Sequence, residues 1–389
     1  MRTIKRYAPW LMLAGLALFV LPACIVTDTV TGLLGGSDKE ATPIVVVLPS
    51  APTEVAPLEP AEPPSADVPA PESAPVSGEQ GASRANPFPV GALVSAPNWE
   101  VQVLEFKRGA EAWADISAAY SYSDPAPEGM EYVLIKVHVK STYADNEEHN
   151  IGRCDFKVTG DRNTLYDCST AFVLNPEPSL DATLYSGGES EGWIAYPVGA
   201  GEGNLMLVVD ELMNFDQDVQ TYIALEEGAS ITIPSTLASI APTGTGIERL
   251  EPAKINETVV TEDWEIRVTE VVRGQAALDM VLETNEYSEQ PAAGMEYLAV
   301  KIYAHCIATE DKPYNIDEFS FESTGDSNTI YDFVAVVDPD PQLSSWLYPD
   351  GEREGWIVVQ AAVGETGVKL IFEPWLDFSG DSKRFLSLE

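Results

Sequence analysis

Histidine, cysteine and basic residues are scarce in this chain. Three His and four Cys among 389 residues leave little material for a zinc site, a histidine-based catalytic apparatus or a dense disulfide framework. Lys and Arg number 22 against 62 Asp and Glu, a formal net charge of −40, which excludes a sequence-independent hold on nucleic acid. The motifs of familiar chemistry are missing as well: there is no Gly-x-Ser-x-Gly elbow, no phosphate-cradling glycine loop and no His-Glu-x-x-His. His138 and His305 fall on equivalent segments of different halves, and His149 lies in a charged loop, so the imidazoles do not converge. The chain is therefore read as non-enzymatic, with no cofactor and no metal. What it has is ordinary core material, 45% hydrophobic, and a length that suggests two or three folded units.

The N-terminus reads as an address. Arg2, Lys5 and Arg6 precede an apolar run from Trp10 to Leu21, the charged and apolar regions of an export signal. Leu21-Pro22-Ala23-Cys24 closes that run and resembles the lipobox of bacterial lipoproteins, with Pro22 as a departure from the usual pattern. That resemblance implies a signal peptide over 1–23 and lipid attachment at Cys24. Two acyl chains there meet the requirement for a stable membrane anchor. The alternative is an uncleaved anchor, because Tyr7–Val26 approaches the roughly 20 residues that span a bilayer. Either way the rest of the chain is expected outside the cytoplasm, anchored to the bacterial membrane or envelope. No other segment reads as membrane-spanning.

Residues 24–83 form a spacer rich in Pro, Ala, Ser and Glu, with no basic residue between Lys39 and Arg84, which follows it. Such a stretch buries too little apolar surface to offset its ordering entropy, and disorder is expected. Beyond it the sequence repeats at a spacing of 165 residues. Trp99-Glu100-Val101 returns as Trp264-Glu265-Ile266, and Arg108-Gly109 as Arg273-Gly274. Gly129-Met130-Glu131-Tyr132 returns unchanged at Gly294–Tyr297, and Asn163-Thr164-Leu165-Tyr166-Asp167 returns as Asn328-Thr329-Ile330-Tyr331-Asp332. After a short deletion, Glu191-Gly192-Trp193 returns as Glu354-Gly355-Trp356. A long period present twice means tandem domains, placed at 84–238 and 248–389 with a linker at 239–247.

Within each copy the period is two. Val133, Ile135, Val137 and Val139 alternate with Leu134, Lys136, His138 and Lys140, the pattern of a half-buried strand, and copy two does the same from Leu298 to Cys306. Further short runs separated by Gly, Asn, Asp and Pro turns indicate an all-β fold: two tandem β-sandwiches. One segment per copy breaks the pattern. Ala276–Asn285 spaces Leu278, Val281 and Leu282 as a helix does, and Ala112–Tyr120 holds the same place in copy one. This helical insert is expected across an open end or edge of each sandwich.

Asn-Pro-x-x-Val-Gly at Asn86–Gly91, Trp-Glu-Val-x-Val, Arg-Gly before the insert and Gly-Met-Glu-Tyr opening the central strand together resemble a widespread family of bacterial extracytoplasmic domains of unknown function. The family is immunoglobulin-like and similar to telokin and to a secreted mycobacterial immunogenic protein. The resemblance covers both copies and implies a fold and a location, with no catalytic residues to transfer. Copy two departs from it at Ile255-Asn256-Glu257-Thr258, where copy one has the Asn-Pro opening.

Cys154 and Cys168 flank the turn Gly160-Asp161-Arg162-Asn163. A hairpin that sets Cys154 opposite Cys168, Phe156 opposite Tyr166 and Val158 opposite Thr164 makes the two thiols cross-strand neighbours. They then form either a disulfide, which an oxidising compartment favours, or two buried thiols. Copy two has Phe319 and Phe333 at these positions, which are expected to meet as an aromatic pair. Cys306, at the place of Ser141, is read as a buried inert thiol, with His305 on the opposite strand face.

Two sets of residues remain as site candidates. Trp113, Tyr120 and Tyr122 in the insert of copy one, with Tyr287 in copy two, form either a partner-binding patch or a cover for the core. Trp99, Trp193, Trp264 and Trp356 are packing residues. Acidic clusters at Asp338 and Asp340, Asp350 and Glu352, Asp377 and Asp381, and Asp145 with Glu147 and Glu148 offer oxygens for calcium but lack EF-hand spacing. The leading expectation is a cell-surface lipoprotein presenting two modules to an extracytoplasmic protein or polymer. Its rivals are a calcium-stabilised or metal-buffering envelope protein and an accessory subunit of an exported enzyme.

Overall fold

The computed structural model describes residues 80–210, 220–374 and 381–389; the segment read as an export signal, Cys24 and most of the segment read as a spacer lie outside them. Copy one runs through β1 (Leu93–Ala96), β2 (Trp99–Arg108), α1 (Gly109–Ala119), β3 (Met130–Ser141), β4 (His149–Gly152), β5 (Phe156–Thr159), β6 (Thr164–Tyr166), β7 (Asp181–Leu184), β8 (Glu189–Gly199), β9 (Met206–Val209) and β10 (Thr221–Ala224). Copy two follows the same order: β11 (Val259–Val260), β12 (Trp264–Arg273), α2 (Gln275–Thr284), β13 (Met295–Cys306), β14 (Tyr314–Ile316), β15 (Phe321–Thr324), β16 (Ile330–Tyr331), β17 (Ser345–Leu347), β18 (Glu352–Ala362), β19 (Lys369–Phe372) and β20 (Arg384–Ser387). No helix of the described residues is long and apolar enough to cross a membrane.

Each copy packs two sheets face to face. In copy one the sheet β1-β2-β3-β8 faces β10-β9-β5-β6, and in copy two β11-β12-β13-β18 faces β16-β15-β19-β20. The alternation along β3 supplies the core: Val133, Ile135, Val137 and Val139 point inward against Phe156, Tyr196 and Leu207. Each such side chain contributes roughly 1.5–3 kcal/mol by leaving water. Trp99 and Trp264 are buried at the start of the same strands in the two copies, as packing residues.

The helices do not lie across an end or edge, contrary to expectation. They cover the outer face of the β3 sheet, because the other face of β3 is also apolar over its first half. Tyr132, Leu134 and Ala195 point outward there, and Ala112 and Ile116 of α1 bury them. In copy two Ala277 and Val281 cover Tyr297, Ala299 and Val358 in the same way. The central strand is thus covered on both sides where it begins and half-exposed where Lys136, His138 and Lys140 take over.

The repeated motifs converge on one structural node per copy. Arg108 donates from Nη2 to Glu131 Oε1 at 2.6 Å and to the Glu202 carbonyl at 2.7 Å. Arg273 does the same to Glu296 at 2.8 Å and to the Glu365 carbonyl at 2.7 Å. Gly109 (φ +57°) turns into the helix against that pair, and a Cβ there would sit 2.7 Å from the Glu131 carboxylate. The tyrosine of the same motif holds the chain leaving the helix: Tyr132 donates to the Asp124 carbonyl and Tyr297 to the Glu289 carbonyl. Gly192 and Gly355 are fixed by close approach, since a Cβ would lie 2.3 Å from Leu180 N and 2.4 Å from the Gln342 carbonyl carbon.

The Cys154–Cys168 disulfide is present, with Cα atoms 5.1 Å apart, but the hairpin register differs from expectation. Val158 pairs with Tyr166 and Thr159 with Leu165, so Cys154 and Cys168 are not ladder partners. Cys154 sits in a 3-10 turn before β5, and Cys168 follows β6. The reason is the turn: Asn163 takes a left-handed conformation (φ 57°), and the returning strand comes opposite Val158 two residues later than expected. Although they lie outside the ladder, the two Cys keep a Cα separation that a disulfide spans. Copy two repeats the register, with Ser323 opposite Tyr331, and stacks Phe319 on Phe333 at 4.8 Å. Cys306 is free and buried, and burial pushes its thiol up to about 12, which makes it a poor nucleophile.

Replacing both Cys154 and Cys168 by Ser is expected to lower the stability of copy one by about 3 kcal/mol, as loss of a loop constraint of this length predicts. Denaturant unfolding of the double variant checks this; an unchanged midpoint contradicts it.

Candidate functional site

The most elaborate polar arrangement in the molecule lies where the two copies meet. β6 of copy one pairs with β17 of copy two, Leu165 opposite Trp346 and Thr164 opposite Leu347, so one sheet runs β10-β9-β5-β6-β17-β14 across both copies. The Tyr348 N–H then donates to the Asn163 carbonyl at 2.8 Å.

Arg84 secures this joint. Its side chain is completely buried, and its Nε donates to Asp311 Oδ1 of copy two at 2.7 Å. Its backbone N–H donates to the other oxygen of the same carboxylate at 3.0 Å. Nη1 donates to Asn163 Oδ1 of copy one at 2.7 Å, and the guanidinium carbon lies 3.9 Å from the centre of the Tyr348 ring. Nη2 has no hydrogen-bond partner among the described residues. Beneath the ring, the Tyr348 hydroxyl meets the Tyr222 hydroxyl at 3.1 Å, and Tyr222 donates to Gln220 Oε1 at 2.7 Å. Burial raises the pKa of both phenols, so they stay neutral. The chain entering from the spacer is tied to the same place: Tyr222 N–H donates to the Gly81 carbonyl and Ile231 N–H to the Arg84 carbonyl. Gly81 is thus already engaged, inside the segment assigned to the spacer. Within the 239–247 linker, Thr243 N–H donates to the Val260 carbonyl.

Sequence reasoning missed Arg84. The signal was available, since Arg249 stands at the spacing of 165 residues that relates the motifs.

The four aromatic candidates divide. Trp113 stacks on Tyr132 at 5.9 Å and belongs to the packing between α1 and the sheet. Tyr120 is half-buried at the end of α1, with its ring 6.0 Å from that of Tyr122. Tyr122 and Tyr287 are 72% and 84% exposed, at equivalent positions of the two copies.

The acidic candidates do not assemble. Among the described residues no group of three or more His, Cys, Asp or Glu side chains is placed to hold a metal ion. Asp377 lies outside the described residues. His305 lies between Glu265 and Asp350, at 2.9 and 3.4 Å, and His149 bonds Asp145 at 2.9 Å. Asp338 is buried and accepts a hydrogen bond from Val358 N–H at 2.8 Å. Burial pushes its carboxyl up to about 7, with the nearby charge of Glu318 adding to the effect. Copy one makes the same bond with a neutral group, Ala195 N–H donating to Asn175 Oδ1 at 2.9 Å.

Two predictions follow from these groups. With Arg84→Ala, the Asp311 carboxylate and the Tyr348 pocket lose their partner at an estimated cost of about 3 kcal/mol, and thermal unfolding separates into two transitions. A single transition at the original temperature contradicts the lock. For Asp338, the folded pKa lies above the unfolded one, so its contribution is complete below the unfolded value and lost as pH rises through about 7. Asp338→Asn should therefore gain stability over the parent between pH 4 and 8, by roughly 4 kcal/mol at most. Parallel melting curves of the two proteins across that range contradict it.

Comparison with known proteins agrees with the duplicated fold. A family model described as Domain of unknown function (DUF4352) matches residues 88–219 and again 253–383. No curated protein matches the chain. Among solved structures, the ycdA protein of Bacillus subtilis subsp. subtilis str. 168 is similar at 13% identity and a TM-score of 0.27, over 34% of this chain and 38% of that one. The yjhA protein of Bacillus subtilis is similar at 11% identity and a TM-score of 0.23, over 36% of this chain and 99% of that one. With the family model matching most of its length in two separate blocks, this chain belongs to the DUF4352 family and carries its domain twice.

Proposed function

We propose that this is a non-catalytic, lipid-anchored extracytoplasmic protein whose two β-sandwiches engage a protein or polymer partner at two points. The observation that carries this reading is the pair Tyr122 and Tyr287. Each stands exposed beyond the insert helix of its copy, and tyrosine offers a large contact area with little conformational freedom to lose. The sheet shared between the copies and the Arg84 contacts hold these two points at a set separation. Two linked contacts then bind a repetitive partner far more tightly than either alone, provided its spacing matches. The sequence around Cys24 supports the anchor, and the acidic surface suits a chain displayed in solvent.

A photo-crosslinking residue at 122 or 287 in living cells is expected to capture the same partner, while one at the exposed loop position 257 captures none. Equal capture from all three positions, or none from 122 and 287, contradicts the reading. Mass spectrometry of the native N-terminus should find diacylglycerol on Cys24, and an unmodified thiol there contradicts the anchor. Chelation of divalent ions should leave the melting temperature unchanged; a fall would favour the calcium-stabilised alternative.

A further inference from the structure

The contact between the copies is not symmetric. Copy one contributes a socket, made of the edge of β6, Leu165 and the Arg84–Asn163 pair. Copy two contributes a knob, made of the edge of β17 and Tyr348, with Asp311 beside it. Because the copies share one fold, each carries both surfaces, and the chain uses only one of each.

The unused socket is on copy two. β16 is the edge strand of the sheet β16-β15-β19-β20. Asn328 takes the left-handed conformation there (φ 60°), as Asn163 does (φ 57°). Arg249 donates to Asn328 Oδ1 as Arg84 does to Asn163 Oδ1. The rim is repeated too, with Phe385 N–H donating to the Gly246 carbonyl as Tyr222 N–H does to Gly81. The copies differ in what covers this surface. Leu165 is 6% exposed, whereas Ile330 in the same place is 56% exposed. Leu250, next to Arg249, is 82% exposed.

The unused knob is on copy one. β7 pairs only with β4 among the described residues, whereas its counterpart β17 pairs with β14 and with β6. Tyr185 occupies the place of Tyr348 and is 56% exposed, where Tyr348 is fully buried.

We propose that copies of this chain associate head to tail: β7 and Tyr185 of one molecule seat on β16, Arg249 and Asn328 of the next. The contact repeats between molecules the junction that joins the copies within one. Thr183 pairs with Ile330 as Trp346 does with Leu165, which satisfies two exposed strand edges. Arg249 meets the acidic loop of the incoming copy. Asn146 holds the place of Asp311 there, with Asp145 and Glu147 on either side.

Two differences make this contact weaker than the internal one. Phe385 lacks the hydroxyl with which Tyr222 meets Tyr348, and Asn146 carries no charge. The internal junction also forms at high effective concentration, while two chains of net charge −40 repel each other. The association therefore belongs to conditions of high local density, and it strengthens with salt. Being heterologous, it extends into chains or rings and does not stop at a dimer. It is independent of the tyrosine reading above.

The test is disulfide trapping of the full-length protein in its native envelope. A Thr183→Cys/Ile330→Cys variant is expected to give a ladder of dimers, trimers and higher species on oxidation. A mixture of the two single variants should give only dimers containing one chain of each. Adding Arg249→Glu to the double variant should cut the ladder at least tenfold, with melting temperature confirming that the chain stays folded. No intermolecular product, a ladder indifferent to Arg249→Glu, or equal dimer formation from either single variant alone would overturn the proposal.

Discussion

A guanidinium withdrawn from water destabilises a fold unless charge and hydrogen bonds replace its hydration, and Arg84 is withdrawn completely. Its replacements come from both copies. Asn163 belongs to the first, Asp311 and Tyr348 to the second, and none of them alone satisfies it. Separating the copies leaves the arginine short of its carboxylate and its ring. Two domains that would otherwise move independently are thereby held as one body, and the shared sheet gives the joint its register.

Duplication explains much of the rest. The Arg108–Glu131 and Arg273–Glu296 pairs, the helix over the outer sheet face and the glycine under the returning loop occur once in each copy. Against that background the divergences stand out. A disulfide in copy one becomes a stacked pair of phenylalanines in copy two. A neutral amide beneath one strand becomes a buried carboxyl beneath the other, and burial raises the pKa of that carboxyl. Both are alternative solutions to one local requirement: tying the hairpin flanks together, and satisfying one N–H of the last long strand.

The sandwich class and the duplication were legible in the sequence, because strand alternation and repeated motifs leave a local record. The partnership of Cys154 with Cys168 was legible for the same reason, and the matching Phe319 and Phe333 supported it. The hairpin register was not, since it hangs on whether Asn163 enters the left-handed region, and Asn tolerates either choice. The helix was misplaced because Tyr132 and Leu134 read as the outer face of an alternating strand, and nothing local shows that face to be covered. Arg84 stood at the end of a polar spacer, where a lone basic residue reads as solvated. Its role depends on residues far along the chain that only the folded arrangement brings to it. Of the aromatic candidates, sequence could not separate Trp113, which packs, from Tyr122 and Tyr287, which do not.

The central claim is that the two copies form one rigid body held by Arg84. Spin labels at the equivalent exposed helix positions 111 and 276, with pulsed dipolar spectroscopy in frozen solution, measure the separation of the copies directly. The account predicts a single narrow distance distribution that broadens in Arg84→Ala. A broad distribution in the parent protein, or the same narrow one in both, would contradict it.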